Sequence, residues 1–113
     1  MISLAAAKKL ALGYEETEEQ PHFEKSSVRV KKKIFVTLDE VNHQACVKLS
    51  EENQSVFCSY NKAIVFPVPN KWGKQGCTLV ALTKVPKELF QDILTRAYCA
   101  VAPKKLADKY EHG

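Results

Sequence analysis

Cysteines, histidines and a run of acids are the residues in this chain that could support catalysis or metal binding. Cys46, Cys58, Cys77 and Cys99 lie far apart, and no Cys-x-x-Cys pair occurs. Zinc and redox sites need close pairs, because two ligands must reach one atom. Each cysteine has apolar neighbours, which points to small buried hydrophobes, reduced and unligated. His22 stands between Pro21 and Phe23, as a turn or packing residue would. Folding could bring His22 or His43 to a thiol, but nothing in the spacing favours such a pair. Glu15, Glu16, Glu18 and Glu19 could hold a hard cation only weakly. No Gly-x-Ser-x-Gly, phosphate-binding glycine loop or His-Glu-x-x-His is present. The expectation is a protein that is not an enzyme and uses no cofactor and no metal.

The basic residues say more. The net charge is only +4, but it is segregated. Lys25, Arg29, Lys31, Lys32 and Lys33 fall in a stretch to Thr37 without an acid. Lys62, Lys71, Lys74 and Lys84 fall in a second acid-free stretch. The acids gather between Glu15 and Glu24 and between Asp39 and Glu52. Segregation of this kind gives each face a potential of definite sign. Lysines at a hairpin tip can straddle phosphates, with counterion release as the driving force. The competing reading is that Lys31 to Lys33 guard an exposed hairpin against edge pairing. The segment from Pro67 to Lys74 places the single tryptophan, Trp72, between Lys71 and Lys74 on a proline-stiffened loop. Such an indole can stack on a base, or it can fold back over the core.

Periodicity supplies the elements that must position these residues. Ser3 caps a first helix to Leu12, and Gly13 stops it. The acidic stretch after it reads as a connection ended by Pro21. Val28 and Val30 alternate with Arg29 and Lys31; Ile34, Val36 and Leu38 alternate with Phe35 and Thr37. These strands form a hairpin whose turn, Lys31-Lys32-Lys33, lacks Gly or Asn. The turn should be looser than two residues, or one lysine should be strained. Cys46 to Leu49 is a third strand. Ser50 caps a second helix with Val56, Phe57 and Tyr60 on one face, broken at Asn61-Lys62. Ala63 to Phe66 is extended, Asn70 to Gly76 is a polar loop, and Cys77 to Thr83 is a strand. Pro86 opens the long last helix, with Leu89, Phe90, Ile93, Leu94, Ala97, Tyr98 and Val101 at helical spacing. A short helical tail follows Pro103, with fraying from Tyr110 to Gly113.

The 113 residues suit one domain, 1–113. The 45% hydrophobic and 27% charged content exclude disorder. No apolar window is long enough for a membrane span, and Lys8 and Lys9 interrupt the N-terminal run, unlike a signal peptide. A cytoplasmic location, no membrane partner and a monomeric state are expected. The fold class is α+β, an antiparallel twisted sheet with helices packed on one face. The expected core includes Leu10, Val30, Ile34, Val36, Phe57, Ile64, Leu79, Leu89, Ile93 and Ala97.

From Leu10 to Leu106 the ordered motifs resemble the MmcQ/YjbR family. The resemblance rests on Leu12-Gly13, the acids Glu15 to Glu19, and Pro21-His22-Phe23. It continues through the strands Ser27 to Val30 and Lys33 to Val36, then Val47-Lys48-Leu49, Trp72 before a strand, and Ala97-Tyr98. It implies a frataxin/CyaY-like sandwich and a DNA-binding role through hairpins shaped as a double wing. Relatives commonly place glycine where this chain has Lys32, and many place a histidine where it has Asn70 and Lys71. Both departures make the surface more basic. The expected contacts to DNA are Arg29, Lys31, Lys32, Lys33, Lys71, Trp72 and Lys74, weak and largely non-specific. The main alternative is a small-ligand or protein-interaction module, followed by an enzyme and an iron binder.

Overall fold

A computed structural model describes residues 2–22 and 25–111. Phe23 and Glu24, part of the family motif and the acidic stretch, lie outside the described residues. So do His112 and Gly113 at the tail.

The first helix, α1 (Leu4–Leu12), begins at Ser3, whose Oγ accepts the Ala6 N–H. The chain then enters a strand rather than a plain connection: β1 (Thr17–His22) contains Glu18, Glu19 and Pro21. It is an edge strand, where charge and proline discourage further pairing and a missing N–H is tolerated. β2 (Lys25–Val30), β3 (Lys33–Asp39) and β4 (Gln44–Lys48) follow as a meander. After α2 (Glu51–Tyr60) come β5 (Val65–Pro67), the one-turn helix α3 (Lys71–Lys74) and β6 (Cys77–Ala81). α4 (Lys87–Val101) and α5 (Lys104–Glu111) close the chain. The sheet is antiparallel with order β1-β2-β3-β4-β6-β5. α4 packs on β3 and β4, α1 on β1 to β3, and α2 on β5.

Alternation decides which face meets the helices. Val28, Val36, Val47, Thr78 and Pro67 form one row across five strands. Its valines are buried, as are Val30, Leu38, Ala45 and Val80. Of the expected core, Val30, Val36, Ile93 and Ala97 are buried, and Leu10, Phe57, Ile64 and Leu89 pack partly buried against it. Ile34 and Leu79 are corrections, because both are only half-buried. Leu79 alternates with inward Thr78 and Val80 and therefore faces away. Near Ile34 the register jumps: Val28 pairs Val36 while Arg29 pairs Ile34, which leaves Phe35 as an extra residue. This bulge turns Phe35 inward beside Val36. Its ring meets Tyr98 edge-on at 5.5 Å. Tyr98 also stacks on Tyr14, and its hydroxyl donates to the Glu15 carbonyl at 2.7 Å. Burial pushes that phenol up to about 12.

α2 departs from expectation as well. Phe57 packs partly buried, but Val56 and Tyr60 point outward, each 59% exposed. The four cysteines are half-buried rather than fully buried. Cys46 lies on the outer sheet face, where desolvation pushes its thiol up to about 11.

Candidate nucleic-acid interface

The β2–β3 turn contains two residues, Lys31 and Lys32, so it is not loose. Both lysines take positive φ, 49° and 70°. A two-residue turn of this kind matches the strand twist only with left-handed φ at both positions, which explains the usual preference for Asn-Gly. The lysine Nζ of residue 31 lies 2.7 Å from Glu16 Oε1. That hydrogen bond is the main reason the Glu16 carboxyl sits below its ordinary range. Lys32 and Lys33 are exposed and have no carboxylate within ion-pair distance among the described residues.

Arg29 is half-buried on β2. Its Nε donates to Ser27 Oγ at 3.2 Å and its Nη2 to the Pro21 carbonyl at 3.4 Å. Among the described residues it pairs with no acid, although Glu18 faces it across the strands. These bonds tether the guanidinium between β1 and β2, so it is less free to reach a ligand than the turn lysines.

The expected polar loop between β5 and β6 contains α3. Asn70 caps it, with Oδ1 accepting the Trp72 N–H at 2.8 Å. Gly73 packs so tightly that a Cβ would overlap the Val68 carbonyl oxygen, and Gln54 Nε2 donates to the Gly73 carbonyl at 2.8 Å. Gly76 takes φ +104° beside the Leu49 carbonyl. The turn is therefore rigid. Trp72 does not fold over the core; it is 52% exposed, with Lys71 Nζ 5.6 Å from its ring centroid. Beside it, Pro67, Val68, Pro69, Asn70, Lys71 and Lys74 line much of a cleft of about 580 Å³.

Strand direction brings these parts together. β2 runs toward its turn, β4 ends at Lys48, and β6 starts at Cys77 opposite Lys48. β5 ends at Pro67 opposite Thr78. The Lys31–Lys32 turn and the α3 connection therefore leave the same end of the sheet. With strands about 4.8 Å apart, the two hairpins stand roughly 14 Å apart. Exposed Lys48 ends the strand between them. It escaped sequence reasoning, but counting outward positions along β4 from the inward Ala45 and Val47 would have found it. Lys62 and Lys84 precede β5 and follow β6 at the opposite end, so the second basic stretch is split. Glu16, Glu51 and Glu52 share the lysine-rich end and reduce its potential.

Other chemistry is dispersed. Glu15 pairs with Lys109 and Glu19 with Lys8, each within 2.8 Å, and α1 carries no acid. His43 lies in the β3–β4 turn at the opposite end. The His22 side chain lies outside the described part of the molecule.

An antiparallel sheet backed by helices defines an α+β protein. The chain belongs to the YjbR family, whose sequence model matches residues 12–100. The fold is also similar to that of DR2400 from Deinococcus radiodurans, a protein with a DUF419 domain. The TM-score is 0.78 at 16% identity, over 99% of this chain and 87% of that one. No curated protein matches.

Proposed function

We propose that this protein binds DNA through the phosphate backbone, weakly and largely without reading sequence, using its two basic hairpins as a double wing. One observation carries the reading: the Lys31–Lys32 turn and the Lys71–Lys74 turn emerge from one end of the sheet. Their separation of roughly 14 Å is comparable with the width of a major groove, about 12 Å, so both can meet phosphates of one duplex. Lysines act there as point charges, which position a protein but specify no base. Arg29, already tethered, adds less. In this reading the protein binds and turns over no substrate.

About four phosphate contacts give a log–log salt slope of roughly −4 and an affinity near micromolar at physiological salt. Fluorescence anisotropy of a labelled duplex across salt concentrations tests this. K32E/K33E and K71E/K74E should each weaken binding and flatten the slope. Absence of binding at about 50 mM salt, or binding unaffected by both pairs, would refute it. The exposed Val56 and Tyr60, one turn apart on α2, favour a second reading as a protein-interaction module. In that case V56D/Y60D, and not the lysine changes, would abolish partner capture.

A further inference from the structure

We propose that Trp72 is a stacking platform for an unpaired nucleobase, so that the site prefers single-stranded nucleic acid to duplex. This rests on the DNA-binding reading and specifies the form of strand the site takes.

A lone tryptophan ordinarily serves the core, because its large apolar surface gains most from burial. Here Trp72 is 52% exposed on a turn fixed from several sides. Asn70 holds the Trp72 N–H, and the Gln75 N–H donates to the Trp72 carbonyl at 3.0 Å. Gln54 anchors the next carbonyl, and Gly73 lies against the backbone of Val68. The backbone under the indole therefore cannot easily rotate to bury the ring. The fold presents this side chain.

The ring's surroundings narrow what it would meet. Lys71 lies over the ring, and Lys74 belongs to the same turn. Both lysines line the adjacent cleft, along with Pro67, Val68 and Pro69. An apolar face beside two cations fits a planar ring carrying a phosphate. When a strand binds, the Lys71 ammonium can exchange the ring for that phosphate. An exposed cation–π contact is weak, whereas a base stacked on an aromatic side chain is held more strongly. In a duplex the bases are already stacked, and using one means unstacking it. The lysines serve both forms of strand, but the indole serves only the unpaired one.

Trp72 is the single tryptophan, so its own emission reports the contact. The protein is titrated with a thymidine oligonucleotide, a uridine oligonucleotide and a duplex, matched in phosphate number. Anisotropy is followed in parallel for the native chain, W72A and W72F. Either single strand should quench the emission more than the duplex does and bind more tightly. The two oligonucleotides distinguish a DNA source from an RNA one, and preference for either over duplex upholds the proposal. W72A should weaken single-strand binding about tenfold, weaken duplex binding far less and keep the native melting temperature; W72F should recover part of the loss. Equal affinity for single strand and duplex, with W72A affecting neither, overturns the stacking role and leaves the DNA reading intact. Binding to none of the three defeats both.

Discussion

Lys32→Gly should make this protein more stable while weakening its hold on DNA. Lys32 occupies φ +70° in a two-residue turn, with Lys31 at +49° before it. An L-residue in the left-handed region costs roughly 1–2 kcal/mol, and glycine does not incur that cost. Glycine adds unfolded-state freedom, which removes about 0.4–1 kcal/mol of the gain. Lys32 has no ion-pair partner among the described residues, so no ion pair is lost. The net gain is about 0.5–1 kcal/mol, or a melting temperature higher by roughly 2–4 °C for a chain of this length. Urea denaturation should show a higher midpoint at unchanged slope. Lys32→Ala removes the same charge but keeps the strained φ, and should give no gain. Both variants lose a phosphate contact, so the salt slope should fall by about 0.9. If K32A stabilises as much as K32G, charge repulsion rather than backbone strain is responsible. If K32G lowers the midpoint, the reasoning about the turn is wrong.

Gly73→Ala should destabilise the protein by about 1–3 kcal/mol, because the added methyl overlaps a backbone oxygen that cannot move aside cheaply. Urea titration measures the loss, and Trp72 emission should change because its turn shifts. For pH, hydrogen bonds to Asn42 are the main cause lowering Asp39, and the hydrogen bond to Lys8 is the main cause lowering Glu19. A carboxyl whose folded-state pKa is depressed stabilises above its unfolded value and loses that contribution as pH falls through the folded one. Denaturation midpoints should therefore be flat near neutrality and drop below about pH 4. Asp39→Asn should reduce that dependence, and a profile unchanged by it would contradict the assignment.

Much of the fold was legible because its signals are local. Ser3 and Ser50 each cap a helix, as their positions before helical runs predict, and α4 buries Phe90, Ile93, Leu94, Ala97 and Tyr98 at the expected spacing. β1 was not legible, since an exposed edge strand with Glu18, Glu19 and Pro21 has no apolar alternation to read. For Leu79 the sequence shows the strand but not the face. Period two defines two faces, and an apolar residue on the uncovered one looks the same in sequence. Ile34 and Phe35 exchanged roles because a bulge depends on the partner strand. Of the candidate site, the residue types were legible, but their grouping was not. Only register shows that Lys71 and Lys74 share an end with Lys31 and Lys32 while Lys62 and Lys84 do not.

The two hairpin tips share a property that charge alone does not explain. Each breaks a local preference where a safer residue was available. The first places lysines at both left-handed positions, where Asn-Gly would be relaxed. The second builds a braced turn, with Gly73 tight against backbone, and uses it to hold a tryptophan in solvent. Neither choice helps the core, and the first opposes stability. Lysines placed only to block edge pairing would belong along the edge strands β1 and β5. Instead they cap a hairpin between β2 and β3, both inside the sheet. Local rules tend to be broken where function requires it. His43, at φ 53° in the β3–β4 turn, is a departure of the first kind at the other end, but histidine tolerates that conformation better than lysine does. The lysine turn and the exposed tryptophan together favour their end as the working surface.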